Sequence, residues 1–190
     1  YTEVFTPQSS VAGTFGTEKV FRINSLYDPD FSAAGHQPYG FDQLALLYKK
    51  YKVNAVDLHL EWTNPNGVGL SAGAMIQPTT GVSTLAGLSA SAADEKQQCV
   101  VRAIPSTGEQ RVVIQQRLDL ADVAGLTKLQ YDADLVSYSA GVGFNPTNSL
   151  WLRIGVTNTN PFDLVSKNAN CKVRITYHSE FWDRVTLGQS

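Results

Sequence analysis

This 190-residue chain has one methionine, two cysteines and three histidines, and only 17% of its residues are charged. Cys99 and Cys171 stand far apart and form no CxxC or zinc-type cluster, a pattern that fits free thiols in a reducing compartment. No apolar run approaches the ~20 residues that a membrane-spanning helix needs, so no such helix is expected. Positive charge is not in surplus either. Lys and Arg total 15 against 17 for Asp and Glu, a formal charge of −2, which excludes bulk electrostatic attraction to nucleic acid. There is no Asn-x-Ser/Thr sequon with a permitted middle residue, no signal peptide and no internal repeat.

What the chain has is apolar alternation. With 43% hydrophobic and 10% aromatic residues over this length, one domain spanning 1–190 is expected. Residues 1–17 read as a polar segment ending in a short β-like lead-in, and 18–23 as the first true strand, stopped by Asp28-Pro29. Residues 53–62 form the clearest strand, with Val56, Leu58, Leu60 and Trp62 alternating with Asp57, His59 and Glu61. Asn64-Pro65-Asn66-Gly67 is turn chemistry. Residues 68–76 make a Gly- and Ala-rich strand whose small side chains point to close approach of another backbone or subunit. Residues 77–96 read as a surface loop.

A hairpin of 98–104 with 109–118 is expected around Pro105-Ser106-Thr107-Gly108, placing Val112, Ile114 and Leu118 inward. Asp119 and Gly125 suit the cap and stop of one helical turn, while 129–138 is weakly β. Residues 150–156 alternate again, 141–149 and 158–170 are loops, and 171–185 is the last strand. Eight strands with one helix between the first two predict an all-β jelly roll of two four-stranded antiparallel sheets in Greek-key order. Periodicity alone leaves a lectin-like or cupin-like sandwich open.

The helix is placed near residues 41–51. Leu44, Leu47, Tyr48 and Tyr51 fall at i, i+3, i+4 and i+7, with Asp42 at the positive end and Lys49, Lys50 and Lys52 at the negative end. The stretch around it carries a resemblance. Asn24-Ser25-Leu26-Tyr27-Asp28-Pro29-Asp30, then Gly35-His36-Gln37-Pro38-Tyr39-Gly40-Phe41-Asp42-Gln43-Leu44, then Tyr48 and Tyr51-Lys52-Val53, resembles the capsid proteins of small circular single-stranded DNA viruses of the circovirus-like group. Phe144-Asn145-Pro146 and the ending Val173-Arg174-Ile175-Thr176-Tyr177 to Phe181 extend it more loosely.

The resemblance implies a homo-oligomer of about 60 copies in a T=1 icosahedral shell around a single-stranded DNA genome, found in the virion and, during assembly, in the host cell nucleus. It also implies an Arg-rich arm upstream. Since Met75 is the sole methionine and Tyr1 opens the chain, a missing upstream segment is expected to supply that charge. Loops 24–39, 77–96 and 158–170 are expected to make contacts and outer surface.

Candidate sites follow from shared strand faces. Arg22, Lys172, Arg174 and His178 lie on the polar faces of strands expected to be neighbours, with Trp182 to stack on a base, so they form a candidate nucleic-acid patch; the alternative is pairing with Glu18 and Glu180. Tyr27, Asp28, Asp30, His36 and Tyr39 are the candidate subunit-contact residues. Asp57, His59 and Glu61 could ligate a metal, or form a polar row pairing with charges such as Arg153. Asp28, Asp30 and His36 could hold a cation, or accept local backbone hydrogen bonds. The bland alternative is adopted in both cases, so no metal or cofactor is expected.

Gly69-Leu70-Ser71-Ala72-Gly73 matches the nucleophile-elbow spacing, with Asp163 and His178 following in hydrolase order, but the strand-to-helix turn it needs is missing. A structural, non-enzymatic protein is therefore expected, with a jelly-roll carbohydrate-binding module as the alternative. Ser71→Ala separates these from a hydrolase: esterase turnover unaffected by the substitution is the expected outcome, and its complete loss would establish an enzyme.

Overall fold

Alternating strands close into two sheets packed face to face in the computed structural model, which describes all residues except 12, 33–34, 79–83, 108–110, 161, 163–164 and 187–190. In chain order the elements are β1 (Thr2–Phe5), β2 (Lys19–Arg22), α1 (Phe41–Ala45), β3 (Tyr48–Thr63), β4 (Leu70–Gln77), α2 (Ala90–Asp94) and β5 (Cys99–Ile104). There follow β6 (Arg111–Asp119), α3 (Leu120–Ala124), α4 (Lys128–Ala133), β7 (Ser139–Gly141), β8 (Trp151–Asn158) and β9 (Asn170–Arg184). One sheet runs β1-β9-β3-β6, with β7 against the start of β3; the other runs β2-β8-β4-β5. All pairings are antiparallel. This is the strand order of a double Greek-key jelly roll, the fold class expected from the pattern.

The core lies where the inward faces meet. Val56, Leu58, Leu60 and Trp62 of β3, Leu152, Ile154 and Val156 of β8, and Val173 and Ile175 of β9 are all buried. Each such side chain stabilises the fold by about 1.5–3 kcal/mol before chain entropy is set against it. The long β3–β9 ladder is the spine, interrupted by one register shift between Val53 and Ala55.

Several expectations are corrected. The lead-in contains a full strand, β1, whose four residues are too few to show a period but pair with β9; residues 18–23 are thus the second strand, and α1 lies between the second and third. Helix α1 ends at Ala45, because Tyr48 and Tyr51 join β3, where pairing with β9 and β7 overrides the helical stripe. Leu44 and Leu47 are consequently exposed, and Phe41 is what α1 buries. The expected hairpin is absent: β5 and β6 belong to opposite sheets, because turn residues report a chain reversal without naming the partner strand.

The weak strand at 129–138 is replaced by α4, held by a Thr127/Gln130 capping box, followed by β7. The helical turn after Asp119 is present as α3, with Asp119 accepting from the Ala121 N–H and Gly125 at φ 72 as its stop. Gly108 of the expected turn lies outside the described residues.

The segment 77–96 is more than a surface loop. It carries α2, capped by Ser89, and sends Leu85 and Ala93 to join Phe15 and Met75 in a second buried cluster on the outer face of the β4 sheet. The small residues of β4 explain how this works. Gly73 and Gly155 are cross-strand partners, and the Phe15 ring lies on the bare backbone between them. A Cβ on Gly73 would stand 2.6 Å from Cζ of Phe15. The close approach anticipated from sequence is therefore made by the same chain. Gly73→Val is expected to destabilise the protein by about 1–3 kcal/mol through overpacking, and the cost should shrink when Phe15→Ala is added. Urea midpoints of the two single variants and the double variant measure this coupling; strict additivity would refute the contact.

Candidate subunit-contact and nucleic-acid surfaces

Asn24, Ser25 and Tyr51 are buried where the loop leaving β2 meets the loop entering β8. Asn24 Nδ2 donates to the Asn148 carbonyl at 2.8 Å, and its Oδ1 accepts the Leu150 N–H at 2.8 Å. The Ser25 hydroxyl donates to Asn145 Oδ1 at 2.6 Å and accepts the Asp28 N–H at 3.2 Å. The Tyr51 hydroxyl, 3.3 Å from Ser25 Oγ, donates to the Phe144 carbonyl at 2.9 Å. Burial holds the Tyr51 phenol above its ordinary range, so it remains a donor. The same residues carry the sequence resemblance, and here they bind two loops to each other and to β3.

Around that junction the candidate contact residues separate into anchors and free groups. Asp30 is buried and bonded to Lys19 Nζ at 2.7 Å and to the Ser32 N–H and hydroxyl at 3.0 and 2.7 Å. Asp28 pairs with Arg22 at 2.8 Å. His36 stacks on Tyr1 and places its ring nitrogens 3.0 and 2.8 Å from the carbonyls of Thr2 and Gln37. Tyr27 and Tyr39 present open aromatic surface, Tyr39 fully, and His36 is exposed but held by those contacts. Phe144, Leu46, Leu129 and Val136 are exposed too, on segments that flank the first residues of β3. Sequence reasoning missed these four, because exposure of an apolar residue leaves no mark on periodicity.

The candidate nucleic-acid residues are only partly brought together. Lys172, Arg174 and His178 share the outward face of β9, where Lys172 lies opposite Glu61 and Arg174 opposite His59. Arg22 does not join them, because β2 lies in the other sheet; its guanidinium packs 5.1 Å from the Phe31 ring and 5.2 Å from the Trp151 ring. Trp182 is on β9 but ten residues beyond Lys172, roughly 33 Å at strand rise, where it lines a depression with Lys52, Leu135 and Glu180.

The third strand, β6, completes the face. Arg117 Nη1 lies 3.4 Å from Asp57, which also accepts from His178 Nε2 at 2.7 Å; that bond, followed by the Arg117 charge, holds the Asp57 carboxyl below its ordinary value. Arg111 pairs with Glu61 at 3.1 Å, and Gln115 Nε2 donates to His59 Nδ1 at 2.7 Å. Lys172 and Arg174 are exposed and make no ion pair among the described residues. A shallow depression of about 380 Å³ lies here, lined by Asp57, His59, Gln115, Arg117, Arg174 and Thr176. Arg111, Arg117 and Gln115 were legible as one face of a strand, but their neighbours were not.

The polar row of β3 therefore pairs with β6 and β9 rather than with Arg153. Arg153 sits in the other sheet, bonded to Glu18 and, at 3.0 Å, to Gln77. Among the described residues, no three His, Cys, Asp or Glu side chains cluster as a metal site would. Ser71 is buried as the second residue of β4, between Ala103 and Thr157, with no turn into a helix, and His178 is in the opposite sheet; Asp163 lies outside the described residues.

No family model and no curated protein matches the chain. Solved structures of viruses do. A chain of Desmodium yellow mottle tymovirus aligns over 100% of this chain and 90% of its own, at 8% identity and a TM-score of 0.47. One of turnip yellow mosaic virus aligns over 99% and 82%, at 9% identity and 0.44. One of sacbrood virus of honeybee, in an expansion state, aligns over 96% of each chain, at 8% identity and 0.49. Likenesses at this level leave function to be read from the surfaces themselves.

Two substitutions test the junction and its anchor. Tyr51→Phe removes a buried donor and leaves the Phe144 carbonyl unpaired, an expected loss of about 1–3 kcal/mol in urea unfolding. For Asp30, burial acts to raise the carboxyl, but hydrogen bonds from Lys19 and Ser32 outweigh it and hold the group below its ordinary value. A depressed carboxylate contributes stability that is complete above its unfolded value and lost as pH falls through the lower folded one. Asp30→Asn is thus expected to lower the urea midpoint near neutrality and to flatten the decline below about pH 4. An unchanged acid limb would show that Asp30 is not a linked group.

Proposed function

We propose that this protein is a viral capsid subunit that self-associates into a closed icosahedral shell around nucleic acid. The observation that carries the proposal is the buried junction of Asn24, Ser25, Tyr51 and Asn145: the residues that resemble the circovirus-like capsid proteins are the ones that fix the loops at one end of the sandwich. Those loops and their neighbours present Tyr27, Tyr39, Leu46 and Phe144 to solvent, and exposed apolar groups on rigid supports suit subunit contacts. The jelly roll supplies a stiff wedge, and catalysis is not required.

The finer features rest on the sequence resemblance: circular single-stranded DNA as the genome, about 60 copies in a T=1 shell, residence in the virion and assembly in the host nucleus. The shell domain offers Lys172, Arg174 and His178 to phosphates, and with a formal charge of −2 it depends on an upstream basic arm for most of the neutralisation. Subunit contact falls to Tyr27 and Tyr39 directly, with Asp28, Asp30 and His36 holding the loop beneath them.

Negative-stain microscopy with light scattering, at low and high salt, is expected to show uniform spheres. A monomer at every concentration and salt would overturn the shell and favour the carbohydrate-binding module, for which a glycan array is the direct assay. Nucleic acid recovered from particles should be degraded by DNase and survive RNase. The double variant Lys172→Glu/Arg174→Glu should weaken binding to a single-stranded oligonucleotide and lower the log–log salt slope by about 0.7 per cation lost; an unchanged slope would remove this face from the nucleic-acid surface.

A further inference from the structure

Sheet edges are where a jelly roll can add a strand, and this chain shields three of its four. At β1, four residues long, the Thr2 carbonyl lies 3.0 Å from His36 Nε2. At β2, residues 29–31 are bonded alongside, through Arg22 N–H to the Pro29 carbonyl and Phe31 N–H to the Val20 carbonyl. At β5, α2 packs against the strand and Arg102 Nη1 donates to the Val101 carbonyl. These are ordinary protections against edge pairing.

The fourth edge, β6, is nine residues long, and no hydrogen bond reaches its side away from β3 among the described residues. Its arginines, which could have guarded it, are turned onto β3 at Glu61 and Asp57. Every second residue therefore points an unpaired N–H and C=O outward.

We infer that β6 pairs antiparallel with β6 of a second copy across a two-fold axis centred on Gln115. The sequence Arg111-Val112-Val113-Ile114-Gln115-Gln116-Arg117-Leu118-Asp119 is self-complementary about that point. Arg111 meets Asp119 of the second copy at both ends, and Val112 meets Leu118 on the inward face. Arg117 comes opposite Val113, which is 40% exposed in the single chain, and the two Gln115 residues come opposite each other. A parallel pair in register would instead set Arg111 beside Arg111 and Asp119 beside Asp119, so charge selects the antiparallel arrangement. Asp119 spends one oxygen on the Ala121 N–H, and Arg111 spends Nε on Glu61, leaving carboxylate and guanidinium atoms for the partner. The pair is isologous, as a two-fold requires. Its place on a shell two-fold rests on the proposed function; the pairing itself does not.

The test uses Gln115→Cys in a Cys99→Ser background, with mild oxidation at micromolar protein. The two-fold sets facing Cβ atoms about 4.5–5.5 Å apart, near disulfide geometry, so a cross-linked dimer is expected on a non-reducing gel. Arg102→Cys on the shielded β5 edge should give none. Arg111→Glu and Asp119→Lys should each reduce the Gln115→Cys cross-link at least tenfold, and together restore it, with circular dichroism confirming that each variant folds. Particles that assemble while Gln115→Cys stays uncross-linked would overturn the pairing and leave the shell standing. A cross-linked dimer that never forms particles would do the reverse. Cross-linking that survives the single charge reversals would refute the register.

Discussion

Two segments, of 24–32 and 142–149, must meet at one end of the sandwich without stranding buried backbone groups, and the Asn24–Ser25–Tyr51–Asn145 junction meets that constraint. Tyr51 is the shared member. Its ring packs edge-on against Phe41 at 5.6 Å, which seats α1, while its hydroxyl reaches the Phe144 carbonyl across the loop boundary. One side chain thus links the first helix, the spine strand and the segment entering β8. The exposed apolar groups at this end have a defined position because polar groups beneath them are fully used.

The two faces of the molecule differ in chemistry for reasons that begin with small residues. On the β4 sheet, glycines admit Phe15, and the segment 84–96 closes over it, so that part of the outer face is apolar and covered, with the Arg153–Glu18–Gln77 cluster beside it. On the β3 sheet, Asp57, His59 and Glu61 meet the side chains of Arg117, Gln115 and Arg111 on β6 and lie opposite Thr176, Arg174 and Lys172 on β9, so the outer face is wet and cationic at Lys172 and Arg174. Partition of charge between faces, rather than net charge, is what the protein offers to a phosphate backbone.

Period-2 alternation made β3, β8 and β9 legible, and with them the fold class, because each has one buried face and one polar face. It also identified the β6 inward set Val112, Ile114 and Leu118, the last two buried and the first half-buried. Pairing was not legible. The β5–β6 hairpin failed because local turn chemistry carries no information on which sheet receives the next strand. The stripe from Leu44 to Tyr51 failed because ladder bonds to β9 outweigh helix propensity in a segment with two tyrosines. The candidate patch failed at Arg22 for the same reason as the hairpin, and at Trp182 because a shared strand face spans a long distance. What remained, Lys172, Arg174 and His178, was adjacent in sequence at period 2.

The cross-strand pair Gly73–Gly155 and the ring of Phe15 form a lock and its key within one chain. In evolutionary terms these three positions are a single heritable unit. A side chain gained at Gly73 meets the Phe15 ring at 2.6 Å, whereas at Gly155 the ring stands 3.2 Å away and has only to give slightly, so the order in which substitutions arrive carries unequal costs along a lineage. A change at Gly73 that precedes its counterpart at position 15 is the costlier path for such a lineage.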